Sequence, residues 1–299
     1  MARNPLSRLW RAIFPRHYRL SAPVNTGAGQ TVVFLHGIAN NHHAWDFVLP
    51  LIKSRHRAIA LDLLGFGESP APQDCQYTPA DHAEAVMFTL RKMHVHGPII
   101  LVGHSMGALI AVEIVKQHPD FVKQLILCSM PMYRLADKRR LLPRQDDMYF
   151  SIYKQVLQRQ AVTLKAFARL QRLAAKSVPG FGLTEERWHA FERSLSNTII
   201  NQTALDDIAT IRSPISMLIG RLDMFLIRQY AIRLAKLHPT IRVTTLNEPH
   251  DIGATYARYV AEEVDAAIEG RPVQPITSSR RLKLPRVPSI KRQRSPRER

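Results

Sequence analysis

Short apolar, β-branched runs recur along the chain, separated by longer stretches whose apolar positions step by three and four. The runs are Thr31–Leu35 (TVVFL), Arg57–Leu61 (RAIAL), residues 98–102 (PIILV), 124–128 (QLILC), 215–219 (ISMLI) and Ile241–Leu246 (IRVTTL). Continuous apolar runs of this length suit strands buried on both faces. Between them the spacing predicts helices. Ala83, Val86, Met87, Leu90 and Met93 share one face behind Thr78 and Pro79, which open a helix. Residues 106–115 and 253–268 carry two more. Strands alternating with helices predict an open, mostly parallel α/β sheet with helices on both faces. Such sheets bind ligands at the carboxyl ends of their strands.

One stretch breaks the alternation. Residues 131–202 hold helical patterns and no strand pattern. Tyr149, Ile152, Tyr153, Val156 and Leu157 make one face, and Leu164, Phe167, Ala168, Leu170 and Leu173 another. Residues 177–182 (SVPGFG) interrupt the pattern, and Thr184 is placed to cap a further helix. The expected organisation is therefore a core over 21–130 and 203–270, with a helical cap over 131–202 covering the sheet's ligand-binding edge.

Composition narrows the class. Apolar residues make up 45% of the 299, enough for a large core, so wholly disordered and collagen-like classes are out. Cys75 and Cys128 alone make neither a disulfide framework nor a four-ligand zinc site. No run reaches the roughly 18 apolar residues of a membrane-spanning helix. The start of the chain lacks the apolar region of a secretory signal, which leads to an expectation of a cytoplasmic or membrane-peripheral protein.

The net charge of +18 looks at first like a nucleic-acid binder. Its distribution argues otherwise. Residues 1–20 contribute +5 without an acid, and 271–299 contribute +9, with Glu298 their one acid, which leaves +4 for everything between. Nucleic acid is therefore not expected as the main partner. The Pro-rich, basic segment 271–299 is expected to be a disordered tail. Leu6, Leu9, Trp10, Ile13 and Phe14 among arginines give 1–20 the look of an amphipathic segment. Together the ends make an anionic membrane surface a candidate partner.

The chemistry concentrates at Gly103, His104, Ser105, Met106 and Gly107, a G-x-S-x-G pattern. It follows an apolar run and opens a helical one. In that strand–turn–helix setting a sharp elbow exposes a serine oxygen. The glycines allow close backbone approach where a Cβ would clash. A serine hydroxyl is a weak nucleophile and needs an adjacent base, which needs a third group to fix its tautomer.

With this motif in place, the chain resembles the α/β-hydrolases that carry a helical cap after the sixth strand, from Thr31 to about Ile268. Phe34 to Ile38 (FLHGI), with Trp45 beyond, is similar to the family's oxyanion loop. Asp62 to Ser69 (DLLGFGES) is similar to its Gly-rich turn, read here as structural. Asp223 ends an IGRLD run where the family places its acid, and His250 lies in NEPHD after the last strand. The order Ser105, Asp223, His250 is the family's chain order. The resemblance implies that His250 is the base, that Asp223 orients it, and that the backbone N–H groups of Ile38 and Met106 bind an oxyanion. His36, Gly37, Gly103, His104 and Gly107 would support the elbow and the oxyanion loop. Two departures stand out. Pro249 replaces the family's usual Gly before the histidine, and only residues 18–24 look extended where a pair of N-terminal strands is usual.

Other assignments are weaker. Asp206 and Asp207 follow no strand, and Asp251 would point away from the site. His42, His43, His94 and His96 have no converging cysteine or carboxylate set, so neither metal nor cofactor is expected. Serine at 105 excludes the epoxide and haloalkane chemistry of relatives with an aspartate nucleophile. The expected activity is cleavage of a small carboxylic ester, with an apolar acyl group suited to Met130, Met132, Tyr133, Phe150, Phe167 and Trp188. A carbon–carbon bond hydrolase and a serine perhydrolase remain alternatives on the same framework. A non-catalytic binding protein acting through its basic ends is the alternative of another class.

Overall fold

The computed structural model describes residues 17–52, 56–134, 145–174 and 178–271. The basic segment expected over 1–20 therefore lies outside the described residues except for 17–20, and the tail over 271–299 except for Arg271.

Seven strands form one sheet: β1 Val24–Thr26, β2 Thr31–Leu35, β3 Arg57–Leu61, β4 Ile99–His104, β5 Val122–Cys128, β6 Ile215–Gly220 and β7 Ile241–Leu246. Their order is β1-β3-β2-β4-β5-β6-β7. Only β1 is antiparallel, pairing with β3; the other neighbours are parallel. The N-terminal edge differs from expectation. Residues 18–22 make no strand, and Val24–Thr26 is a short one. Residues 20 and 21 bond instead to side chains: Leu20 N–H to Thr89 Oγ1 at 2.8 Å and Ser21 N–H to Ser69 Oγ at 2.9 Å. With one described N-terminal strand instead of a pair, the helical insertion follows the fifth strand counted on this chain.

Side-chain alternation along the strands builds two apolar layers. Val33, Leu35, Ile59, Leu61, Leu101 and Leu127 face one side, against α1 Pro79–Lys92 and α2 Met106–Gln117. Val32, Phe34, Ala60, Ile100, Val102 and Ile126 face the other, where Tyr256, Val260 and Val264 of α8 Ala254–Glu269 cover them. Burying each large aliphatic side chain contributes about 1.5–3 kcal/mol. The start of α1 is a capping box: Asp81 N–H donates to Thr78 Oγ1 at 3.1 Å and Thr78 N–H to the Asp81 carboxylate at 3.0 Å.

Between β5 and β6 lie α3 Gln145–Gln158, α4 Gln160–Ala174, α5 Trp188–Ser194, a π-helical turn over Leu195–Ile200 and the short α6 Ala204–Asp207. Thr184 does not cap a helix. Residues 184–188 form tight turns closed by Arg187 N–H to Thr184 C=O and Trp188 N–H to Glu185 C=O, and α5 starts at Trp188. The Arg187 guanidinium is held by the Ser69 and Gly67 carbonyls, which fixes this entry to the core instead. α7 Arg228–Leu237 connects β6 to β7. No helix among the described residues is long and apolar enough to cross a membrane.

Candidate active site

The end of β4 and the start of α2 leave a single residue between them, Ser105, with φ 52° and ψ −118°. A non-glycine residue there stores strain of about 1–3 kcal/mol, borne by its surroundings. Its N–H is fixed by Cys128 C=O of β5 at 2.9 Å. The turn closes only because its flanks lack side chains. A Cβ on Gly103 would lie 2.5 Å from Gly107 C=O, and one on Gly107 would lie 2.2 Å from Leu35 C=O.

Gly220 ends β6 with similar tightness. A Cβ there would lie 2.2 Å from Glu248 C=O. Arg221 N–H bonds to Leu246 C=O and Leu222 N–H to Glu248 C=O, so the loop after β6 is laced to the loop after β7. This brings Asp223 to His250. The Asp223 carboxylate is buried. One oxygen accepts from Phe225 N–H at 2.8 Å, and the other lies 2.8 Å from His250 Nδ1. A carboxylate partner on Nδ1 makes that nitrogen the donor and leaves Nε2 as acceptor. Nε2 lies 3.0 Å from Ser105 Oγ. Pro249 has not displaced the ring from either partner. Phe225 meets the His250 ring edge-on, with centroids 5.0 Å apart.

The loop after β2 packs directly on the serine. A Cβ on Gly37 would lie 3.2 Å from both Ser105 Cβ and the His104 ring. His36 holds this loop: its Nδ1 contacts Gly37 C=O at 2.7 Å, and its Nε2 accepts from Leu63 N–H at 2.8 Å. Burial lowers the His36 pKa to about 4, so the ring is neutral near pH 7. Ile38 follows Gly37 in this loop, and Met106 opens α2, where the first N–H groups have no acceptor within the helix. His104 Nε2 meets the backbone carbonyl of His250 at 2.9 Å, and burial lowers its pKa to about 4 as well.

The remaining candidates fall elsewhere. Asp62 accepts from His42 N–H, the His42 ring and Glu68 N–H within 2.9 Å, which closes the Gly-rich turn after β3. His43 bonds Asp46 at 3.0 Å. Asp207 bonds Thr203 and Lys116 at the surface, away from the serine.

The structure also brings in tyrosine hydroxyls to which the sequence pattern assigns no role. Tyr133 donates its hydroxyl to Phe225 C=O at 2.6 Å and, that proton being used, accepts from Tyr153 at 2.8 Å. Tyr149 donates to Met224 C=O. Two tyrosines from the insertion thus hold the loop that carries Asp223, and Tyr153 supports one of them. The helical spacing of Tyr149 and Tyr153 is legible, but the partners of the Tyr133 and Tyr149 hydroxyls, 92 and 75 residues away, are not.

The arrangement is a serine hydroxyl on a strained turn, hydrogen-bonded to an imidazole whose other nitrogen faces a buried carboxylate. Such a chain can pass a proton from the hydroxyl to the ring. The sequence profile of the alpha/beta hydrolase fold matches residues 30–252, and the chain belongs to that family. BODYGUARD 4 of Arabidopsis thaliana, named a probable lysophospholipase, is 34% identical over 131 residues, 43% of this chain and 30% of that protein. The esterase Rv0045c of Mycobacterium tuberculosis is 36% identical over 119 residues, 40% of this chain and 39% of the relative. The chain thus spans well under half the length of these relatives. An esterase from Exiguobacterium antarcticum superposes with a TM-score of 0.68 at 19% identity, covering 84% of this chain and 96% of that one. That likeness is one of fold. The first of these relatives is named for lysophospholipase activity and the second for esterase activity.

Proposed function

We propose that the chain is a serine hydrolase that cleaves a carboxylic ester through an acyl-enzyme on Ser105. The observation that carries the proposal is the 3.0 Å contact between Ser105 Oγ and His250 Nε2, backed by Asp223 on Nδ1 at 2.8 Å. In the first half-reaction Ser105 Oγ attacks the ester carbonyl carbon, and its proton passes to His250 Nε2. The oxyanion forms beside the loop after β2 and the start of α2, where the Ile38 and Met106 N–H groups receive it. Losing one such donor typically costs about 2.7–4 kcal/mol of barrier. Collapse of the tetrahedral species breaks the ester C–O bond, and His250 returns the proton to the departing alkoxide. Water then attacks the acyl-serine. His250 takes its proton and returns it to Ser105 Oγ as the carboxylic acid leaves. Asp223 keeps Nδ1 protonated throughout and stabilises the imidazolium.

The insertion acts as a cap. Its side chains hold the Gly67 and Ser69 carbonyls through Arg187, the Gln73 and Cys75 carbonyls through Arg193, and the Asp223 loop through Tyr133 and Tyr149. These anchors to the loops after β3 and β6 support a cap over the strands' carboxyl edge that selects the alcohol and acyl parts. Steady-state hydrolysis of a short-chain and a long-chain p-nitrophenyl ester tests the reading. Ser105→Ala and His250→Ala are expected to abolish turnover over background by about 10⁴-fold or more. The ratio between the two esters reads out the acyl preference. Full turnover by Ser105→Ala would overturn the proposal.

A further inference from the structure

The insertion carries an exposed surface that neither the packing nor the proposed chemistry uses. On α4, Thr163, Leu164, Phe167 and Ala174 turn inward or lie half-buried, with Phe167 stacked on Phe181 at 5.1 Å between centroids. A second stripe, Val162, Ala166, Leu170 and Leu173, follows steps of four, four and three and is exposed, with Leu173 75% accessible. On its other side runs a third stripe, Lys165, Arg169 and Arg172, all exposed. α4 contains no carboxylate. The helix thus has three faces: one packed, one apolar and open to solvent, one cationic.

A second set of exposed apolar side chains lies on the loop carrying Asp223. Leu222, Met224 and Phe225 are exposed there, Met224 at 77%. Met148 and Ile152, at i and i+4 on α3, are exposed too, and α3 is tied to that loop through Tyr149. Exposed apolar side chains grouped on one element are the kind of surface that marks a contact site.

We propose that α4 docks this chain onto an anionic lipid surface, its Val162–Leu170–Leu173 stripe inserting at the headgroup boundary and its Lys165–Arg169–Arg172 stripe lying against the lipid charges. Two features favour a lipid surface as occupant over a folded protein. An apolar stripe flanked along its length by cations, with no acid on the helix, is complementary to an anionic interface. The apolar side chains are also exposed along helices and a loop, Leu173 and Met224 by three quarters or more, which suits a deformable surface that can envelop them. The placement differs from attachment through the basic chain ends, because the contact is made by a folded element of the insertion. It does not rest on the ester-cleavage reading, since docking is measured without turnover.

The test is flotation of the full chain with phosphatidylcholine vesicles, with and without phosphatidylglycerol, at low and high salt. Wild type is compared with Leu170→Ser/Leu173→Ser and with Lys165→Gln/Arg169→Gln/Arg172→Gln. Thermal melting of each variant, expected within a few degrees of wild type because these side chains are exposed, verifies folding. Wild type is expected to float with the anionic vesicles. The serine pair should lower partitioning about tenfold or more while keeping its salt dependence. The glutamine triple should lower it comparably and flatten the salt dependence. Partitioning of both variants equal to wild type overturns the proposal and assigns any binding to the chain ends. Failure of wild type to bind also overturns it. So does a concentration-dependent dimer on gel filtration that the serine pair dissolves, which would give the stripe to a second copy of the chain.

Discussion

Gly107 and Gly37 illustrate two ways in which one missing Cβ shapes the candidate site. At Gly107 the obstruction is backbone, Leu35 C=O at 2.2 Å and His36 C=O at 2.5 Å, so an alanine must push β2 and α2 apart. Gly107→Ala is expected to destabilise the fold by about 3 kcal/mol in urea unfolding, as overpacking of a tight contact does. At Gly37 the neighbours are 3.2 Å away and can yield slightly. Gly37→Ala is expected to leave urea unfolding nearly unchanged but to lower kcat for a p-nitrophenyl ester by about tenfold, because it shifts the loop beside Ser105. Asp223→Asn should lower kcat by about 10³–10⁴ with a near-normal melt, since an amide leaves His250 in the wrong tautomer. These residues were legible in the sequence because each stands in a short motif with its own mechanical reason. The strand–turn–helix setting singled out Ser105, and family resemblance supplied Asp223 and His250. The hydrogen bond from His104 to the His250 carbonyl was not legible, because it joins residues 146 positions apart by backbone geometry.

At the scale of elements, strands β2 to β7 are legible from their apolar runs nearly to their ends, because burial leaves a run that period alone cannot disguise, whereas the short, exposed β1 is not. β4 reaches His104, two residues beyond its run, because Gly103 and His104 continue the ladder with Leu127 and Cys128. The start of α5 was misplaced. A threonine followed by acids suits a cap, but the tertiary anchors of Arg187 decide where the helix starts. The insertion also acts on the acid loop from a distance. Tyr133 is buried, and its hydroxyl is the donor to Phe225 C=O. Tyr133→Phe removes that donor and leaves the carbonyl poorly satisfied. The expected cost is about 1–3 kcal/mol in urea unfolding, with a fall in kcat because the Asp223 loop loosens. Equal stability and equal kcat would mean that the contact is incidental.

For the whole molecule, three buried histidines tie stability to pH. Burial lowers His36 and His104 to about 4 and His82 to about 3, against 6.5 for a free ring. The unfolded chain therefore binds more protons than the folded one in this interval. The stability associated with neutral rings is fully present above about 6.5 and is lost as the pH falls towards 4. The His82 ring meets Ser194 Oγ at 3.3 Å and takes no part in the Ser105–His250–Asp223 hydrogen bonds. His82→Leu is expected to reduce the acid slope of the unfolding free energy by about one proton, read from urea melts across that interval. An unchanged slope would contradict the burial account. The overall architecture was legible because alternating strands and helices admit few topologies. The exposed stripes of α4 were not, because an apolar residue at helical spacing is ordinarily read as core.

The claim that unites these scales is that Ser105 is the atom acylated by an ester. Rapid mixing with a p-nitrophenyl ester followed by intact mass measurement tests it most directly. The account predicts a burst of p-nitrophenol close to one equivalent per chain and an acyl adduct that maps to Ser105, with both absent from Ser105→Ala and His250→Ala. An adduct on another residue, or a burst that survives Ser105→Ala, would contradict it.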